Sequence, residues 1–194
     1  MRRAVPLLAA VLLLAGCSES TTGSPTPGSP TGETTASSGK PTSTSKEAAK
    51  RPKTINIKDV DPCTLLTDAQ RAELGLNRPP QKSTSTVHQS PSCGFDREDR
   101  TWGTTLVTAT KAGVEFYTDG SFDAEAQQLQ VAGFPAVIAS TPKDQTSCWV
   151  GVDVSDGQMV VTQVTSLKGE VPQGRLCELA QQIAGAATTT LAAR

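Results

Sequence analysis

Four cysteines, Cys63, Cys93, Cys148 and Cys177, stand at wide intervals through the chain and limit the folds open to it more than any other feature. No two form a Cys-x-x-Cys pair, so the local signature of a thioredoxin-like dithiol or a zinc knuckle is missing. An even set of widely spaced cysteines reads instead as a disulfide framework, provided the domain matures in an oxidising compartment. Two bridges can then form in three connectivities.

The compartment is written at the N-terminus. Met1-Arg2-Arg3 precedes an apolar run over residues 4–14, the charged and hydrophobic regions of an export signal. The run is shorter than the roughly 20 residues that a membrane-spanning helix needs. It ends in Leu14-Ala15-Gly16-Cys17, which resembles the lipobox of bacterial lipoproteins. That resemblance implies cleavage before Cys17 and a thioether diacylglycerol on its sulfur, leaving residues 1–16 as a signal peptide. Two acyl chains, each gaining about 0.8 kcal/mol per buried methylene, hold firmly where one binds only marginally. The expected location is therefore the outer face of the cytoplasmic membrane, with the membrane itself as a partner through Cys17.

Residues 17–53 are Ser, Thr, Pro and Gly with scattered charges. Such a composition has almost no apolar surface to bury and is expected to act as a disordered tether. A flexible coil of this length spans roughly 33 Å root-mean-square, enough to lift a domain off a membrane surface. The formal net charge is −1 at pH 7, and more negative once Arg2 and Arg3 leave with the signal. No basic stripe marks a nucleic-acid binder.

Residues 54–194 suit a single domain, a length that buries about two-thirds of its unfolded surface. Thr67-Asp68-Ala69-Gln70 has the spacing of a capping box, and Leu74-Gly75 offers a C-terminal stop, which predicts a short helix. Near the other end Leu176, Leu179, Ala180, Ile183 and Ala187 recur on one helical face behind Pro172. Between these helices the pattern turns to period two. Residues 148–154, then Asp156-Gly157, then residues 158–166 predict a hairpin with a two-residue turn. That turn would set Val154 opposite Met159, Val152 opposite Val161 and Val150 opposite Gln163. Cys148, Val150, Val152 and Val154 would then point to the core, and Trp149, Val160 and Val164 to the other side. Apolar groups on both faces imply cover on both. Residues 101–110 and 136–140 read as further strands and 122–130 as a weaker helix. The fold class expected is α+β, a largely antiparallel sheet packed with N-terminal and C-terminal helices and carrying two disulfides. Cys63 with Cys177 would join the terminal helices, and Cys93 with Cys148 the central strands.

Several segments together carry a family resemblance. Asp61-Pro62-Cys63-Thr64-Leu65-Leu66-Thr67, with its short helix to Leu74-Gly75, resembles the opening of the actinobacterial lipoprotein family known as domain of unknown function 3558. Ser92-Cys93-Gly94-Phe95, Gly133-Phe134-Pro135-Ala136, Ser147-Cys148-Trp149 and Leu176-Cys177-Glu178-Leu179-Ala180 are similar too. The resemblance implies a cell-envelope setting and structural cysteines. It brings no catalytic residue.

Chemistry is sparse. His88 is the one histidine, and neither a Gly-x-Ser-x-Gly elbow nor a His-Glu-x-x-His pair accompanies it; a surface or strand-edge position is expected. Asp96-Arg97-Glu98-Asp99-Arg100 alternates in sign and reads as a solvated turn. The Asp153 to Gly157 stretch lacks the alternating acids and distant glutamate of a calcium loop. Trp102, Trp149, Phe116, Tyr117 and Phe134 are expected to fill core. No catalytic residue, metal ligand or cofactor is assigned. The favoured expectation is a non-enzymatic module that binds a small ligand or an envelope protein. A hydrolase built on His88 or the carboxylates near Asp96, and a structural wall-associated protein, are the alternatives.

Overall fold

The computed structural model describes residues 50–194. Asp61 accepts a hydrogen bond from the Cys63 amide and opens a 3-10 turn at Pro62–Thr64. Helix α1, Asp68–Glu73, follows with the expected capping box: the Gln70 amide donates to Thr67 Oγ1 at 3.2 Å, and the Thr67 amide to Gln70 Oε1 at 2.8 Å. Its end is a Schellman motif, in which Gly75, at φ +68°, donates to Ala72 O and Leu76 donates to Arg71 O.

Seven strands follow: β1 (Gln81–Ser85), β2 (Ser90–Asp96), β3 (Trp102–Ala109), β4 (Glu125–Val131), β5 (Phe134–Thr141), β6 (Asp144–Ser155) and β7 (Gln158–Ser166). They form one antiparallel sheet in the order β1-β2-β3-β7-β6-β5-β4. Helix α2, Gln173–Ala192, opens on Pro172 and buries the five residues that the periodicity picked out, together with Leu191. The α+β class with terminal helices and two disulfides is thus the fold observed.

The front face packs against α2, the 3-10 turn with the leucines that flank α1, and the N-terminal segment in one core that includes Ile57, Leu65, Leu106, Val150 and Ile183. Ile55 donates to Val154 O and Ile57 to Gln158 Oε1, binding that segment to the β6–β7 end of the sheet. Arg51 pairs with Asp153 and Asp156, and Lys53 donates to Ala192 O at the C-terminal end of α2, where a cation suits the helix dipole. The back face has its own core, in which Val107, Val137, Trp149, Met159 and Val161 lie beneath Val114, Phe116, Tyr117 and Phe122. The ribbon of β6 and β7 is covered on both sides, as its two-faced apolar pattern requires.

Three expectations are corrected. Residues 122–130 do not form a helix; Glu125–Val131 is an edge strand. Ala132 and Gly133, both at positive φ, make a two-residue turn that returns the chain against β5, and this pairing outweighs the helical preference of Ala, Glu, Gln and Leu. The hairpin turn at Asp156-Gly157 is where it was expected, with Ser155 opposite Gln158, but a bulge between Asp153 and Ser155 moves the register by one. Val152 therefore faces Val160, Val150 faces Thr162 and Cys148 faces Val164. Because side chains alternate with period two, the slip places Val160 and Val164 in the front core and Met159 and Val161 in the back one.

The third correction concerns the bridges. The bonds are Cys63–Cys93 and Cys148–Cys177, with Cα separations of 5.0 and 5.1 Å. Cys93 lies on β2 and Cys148 on β6, with β3 and β7 between them. Three interstrand steps of about 4.8 Å put those Cα atoms roughly 14 Å apart, far beyond the reach of a disulfide. Each bond instead crosses from the sheet to the layer in front of it, one to the 3-10 turn and one to α2.

Candidate functional site

A groove of about 600 Å³ lies where α1, the β2–β3 turn and the start of α2 meet. Its walls are Glu73 and Leu74 at the end of α1, Arg97 and Thr101 in the turn, Glu170 and Val171 before α2, and Arg175, Leu179 and Gln182 on α2. Trp102 and Leu179, nearly buried, give it an apolar floor. Its size lies in the range of small-molecule sites, and its lining is more polar than apolar, with Glu73, Arg97, Thr101, Glu170, Arg175 and Gln182 around that floor.

The charged wall is fixed by contacts rather than left to solvent. Arg97 Nε and Nη2 donate to the Asp99 carboxylate at 3.0 to 3.3 Å, Nη1 donates to Leu74 O at 3.3 Å, and the guanidinium lies 5.5 Å from the Trp102 ring centroid. The Arg97 hydrogen bonds, with those from the Thr101 amide and hydroxyl, hold the Asp99 carboxyl well below the usual carboxylate range. Gly75 makes room for this arginine: a Cβ there would stand 2.5 Å from Arg97 Nη1. Across the groove Arg175 pairs with Glu178 at 2.7 Å. The bond of Cys177 to Cys148 on β6 pins the same turn of α2 to the sheet.

Two smaller hollows lie along β1 and at the β1–β2 turn. One of about 340 Å³ lies between Val60, Pro62 and β1, with Lys82 donating to Asp61 at 2.6 Å on its wall. The Lys82 hydrogen bond, followed by that of the Cys63 amide, lowers the Asp61 carboxyl below its ordinary value. The other, about 160 Å³, adjoins His88.

His88 is not the surface residue the sequence led us to expect. It sits in the turn between β1 and β2, 9% exposed, with Nε2 3.2 Å from Tyr117 Oη and its ring 5.0 Å from that of Phe116. Burial alone lowers the pKa of its imidazole. The carboxylates near Asp96 lie at the far end of β2, a strand about 20 Å long, so the structure does not bring them to His88. Glu98, Asp99 and Arg100 are exposed, and the turn is solvated as read. Trp102, Trp149, Tyr117 and Phe134 are buried and Phe116 half-buried. Among the described residues no group of three or more His, Cys, Asp or Glu is placed to hold a metal ion. All four domain cysteines are oxidised. Cys17 lies outside the described residues.

The groove was not legible beforehand. Its residues come from three separate stretches, and Arg97, Trp102 and Leu179 each had a sufficient local reading as turn or core.

Residues 12–190 match the family model described as protein of unknown function (DUF3558). The chain belongs to the DUF3558 family. The match covers the disulfide-bridged domain to residue 190 and reaches back through residues 17–53 to residue 12. No curated protein and no solved structure matches the chain. Among the described residues of this DUF3558 protein no helix is long and apolar enough to cross a membrane.

Proposed function

We propose that the protein is a lipid-anchored binding module of the actinobacterial cell envelope, holding a small, partly apolar ligand in the groove between α1, the β2–β3 turn and α2. The groove carries this reading. It has the volume and apolar floor of a ligand site, and its polar wall is ordered in advance by Arg97, Asp99 and Leu74 O, which reduces the ordering cost on binding. Nucleophile chemistry has no support there: the lining includes neither histidine nor cysteine, and Thr101, its one hydroxyl, donates to Asp99, itself engaged by Arg97. Native mass spectrometry of the protein purified from its own host tests the binding. A bound small molecule is expected on the wild type and lost in Gln182→Trp, whose indole fills the groove from an exposed position. A bare wild type, or a bound species that Gln182→Trp leaves undiminished, would overturn the reading.

The anchor rests on Leu14-Ala15-Gly16-Cys17 behind a short apolar run, a segment that the family match includes in part from residue 12. Cys17→Ser is expected to abolish incorporation of a palmitate analogue in metabolic labelling and to release the protein from the membrane fraction. Undiminished label in that variant excludes lipidation at Cys17.

A further inference from the structure

The back face of the sheet is closed by residues 112–124, a crossing that contains a 3-10 turn, Val114–Tyr117, and no strand or α-helix. Its hold on the sheet is mainly aromatic. Phe122 packs against Trp149 at 5.3 Å between ring centroids, Phe116 and Tyr117 pack against Phe122, and Tyr117 fills the space above Gly151, where a Cβ would stand 3.0 Å from its ring. The Tyr117 hydroxyl, fully inside this cluster, bonds to His88 Nε2. His88 belongs to a different element, the β1–β2 turn, so this bond joins the crossing to the far edge of the sheet.

We propose that His88 is an acid-sensitive latch: protonation of its imidazole releases residues 112–124 from the sheet and uncovers the apolar back face formed by Val107, Val137, Trp149, Met159 and Val161.

The surroundings of His88 suit a neutral ring. The adjoining hollow is lined by Val87, Gln89, Ala109, Lys111, Ala112 and Phe116. The charged side chain on its lining is Lys111, whose Nζ donates to Gln89 Oε1. From the 3-10 turn comes Glu115, but its carboxylate accepts the Gly113 amide at 2.9 Å. β1 presents the Ser85 hydroxyl, which accepts the His88 amide, β2 presents Ser90 Oγ bonded to His88 O, and β3 presents Ala109. Asp153, beyond Glu115, is paired with Arg51. Tyr117 itself is held neutral, its phenol pushed well above its ordinary pKa by burial. A protonated His88 would thus be buried against a neutral phenol. The neutral ring can accept or donate at Nε2, whereas the cation can only donate.

The sign follows from linkage. Burial lowers the folded pKa, so the docked state is fully favoured above the ordinary histidine value near 6.5 and loses ground as pH falls below it. At pH 5 the opening constant rises by up to about thirtyfold, the factor by which an exposed imidazole of ordinary pKa is then protonated. The hollow at Val87 and Lys111 provides the path for the proton.

Hydrogen exchange of the full-length chain at pH 7 and pH 5, corrected for the intrinsic chemistry, tests the latch. We expect amides in residues 113–124 to exchange faster at pH 5, by up to about thirtyfold, with β6 and β7 unchanged, and the acceleration to vanish in His88→Gln, which keeps a side-chain partner for Tyr117 but does not titrate. His88 is the one histidine of the chain, so its proton magnetic resonance titration is unambiguous whether or not the variant folds. It is expected below 6.5 and in step with shifts of Phe116 and Tyr117. Titration of His88 at or above 6.5, acceleration spread evenly over the domain, or the same acceleration in His88→Gln would each overturn the proposal.

Discussion

Replacing Cys148 and Cys177 together by serine is expected to destabilise the domain by about 3.5 kcal/mol, the loop-closure entropy that a bond across 29 residues removes from the unfolded chain. Burial adds to that figure, because Cys148 is fully buried and a serine hydroxyl there needs a partner. The nearest acceptor is Ala139 O, 3.5 Å from the Cys148 sulfur. Equilibrium denaturation of the double variant against the oxidised wild type measures the difference. Non-reducing peptide mapping should at the same time return peptides joining Cys63 to Cys93 and Cys148 to Cys177. A peptide joining Cys93 to Cys148 would contradict more than the bridges, since it is incompatible with a sheet that sets two strands between them. Single variants should be harder to recover than the double one, each leaving a thiol able to exchange with the remaining bond.

The pairing shows where sequence reading reaches its limit. The even cysteine count and the absence of Cys-x-x-Cys sufficed to expect two bridges. The partners depend on strand order, and the order β3-β7-β6 arises because the crossing after β3 carries the chain to the far edge of the sheet, from which β4, β5, β6 and β7 run back in sequence until β7 lies beside β3, a long-range choice with no local mark. The helices were legible because their signals are local: Thr67 and Gln70 cap α1 within one turn, and α2 repeats its apolar residues over five turns. The helix expected over residues 122–130 fails for the complementary reason, since its side chains favour a helix in isolation and only the Ala132-Gly133 turn and the neighbouring β5 make it a strand. The one-residue bulge beside Val154 is of the same kind. It left the turn where Asp156-Gly157 placed it and yet exchanged the faces of Val160 and Val161. The candidate groove, assembled from three segments, could only appear once those segments were in place, and the His88–Tyr117 contact depended on two turns meeting over the back of the sheet.

Helix α2 is the element on which both the front core and the groove depend, and Ile183→Ala tests its packing with a large expected effect. Ala180, Ala184 and Ala187 lie fully buried along its inner face and let the helix approach the sheet closely, while Leu176, Ile183 and Leu191 are the large side chains that fill the space between. Truncating Ile183 leaves a cavity whose cost depends on how far the helix can settle into it. Settling is opposed at both ends. Cys177 is bonded to β6 near the N-terminal turn, and near the other end Gln70 donates to Ala186 O, Thr190 donates to Gln70 Oε1 and Lys53 donates to Ala192 O. A helix clamped in this way cannot collapse onto the gap, so the loss is expected in the upper part of the roughly 2–5 kcal/mol range for such truncations. Gln181→Ala, an exposed change that gives up only a long hydrogen bond to Cys177 O at 3.5 Å, should alter stability by less than about 0.5 kcal/mol. Urea denaturation of both variants, with the slope unchanged so that the midpoint reports stability, is the measurement. A loss below about 1 kcal/mol for Ile183→Ala would mean that α2 moves freely enough to refill the cavity, and the groove wall formed by Arg175, Leu179 and Gln182 would then be as mobile as the helix that carries it.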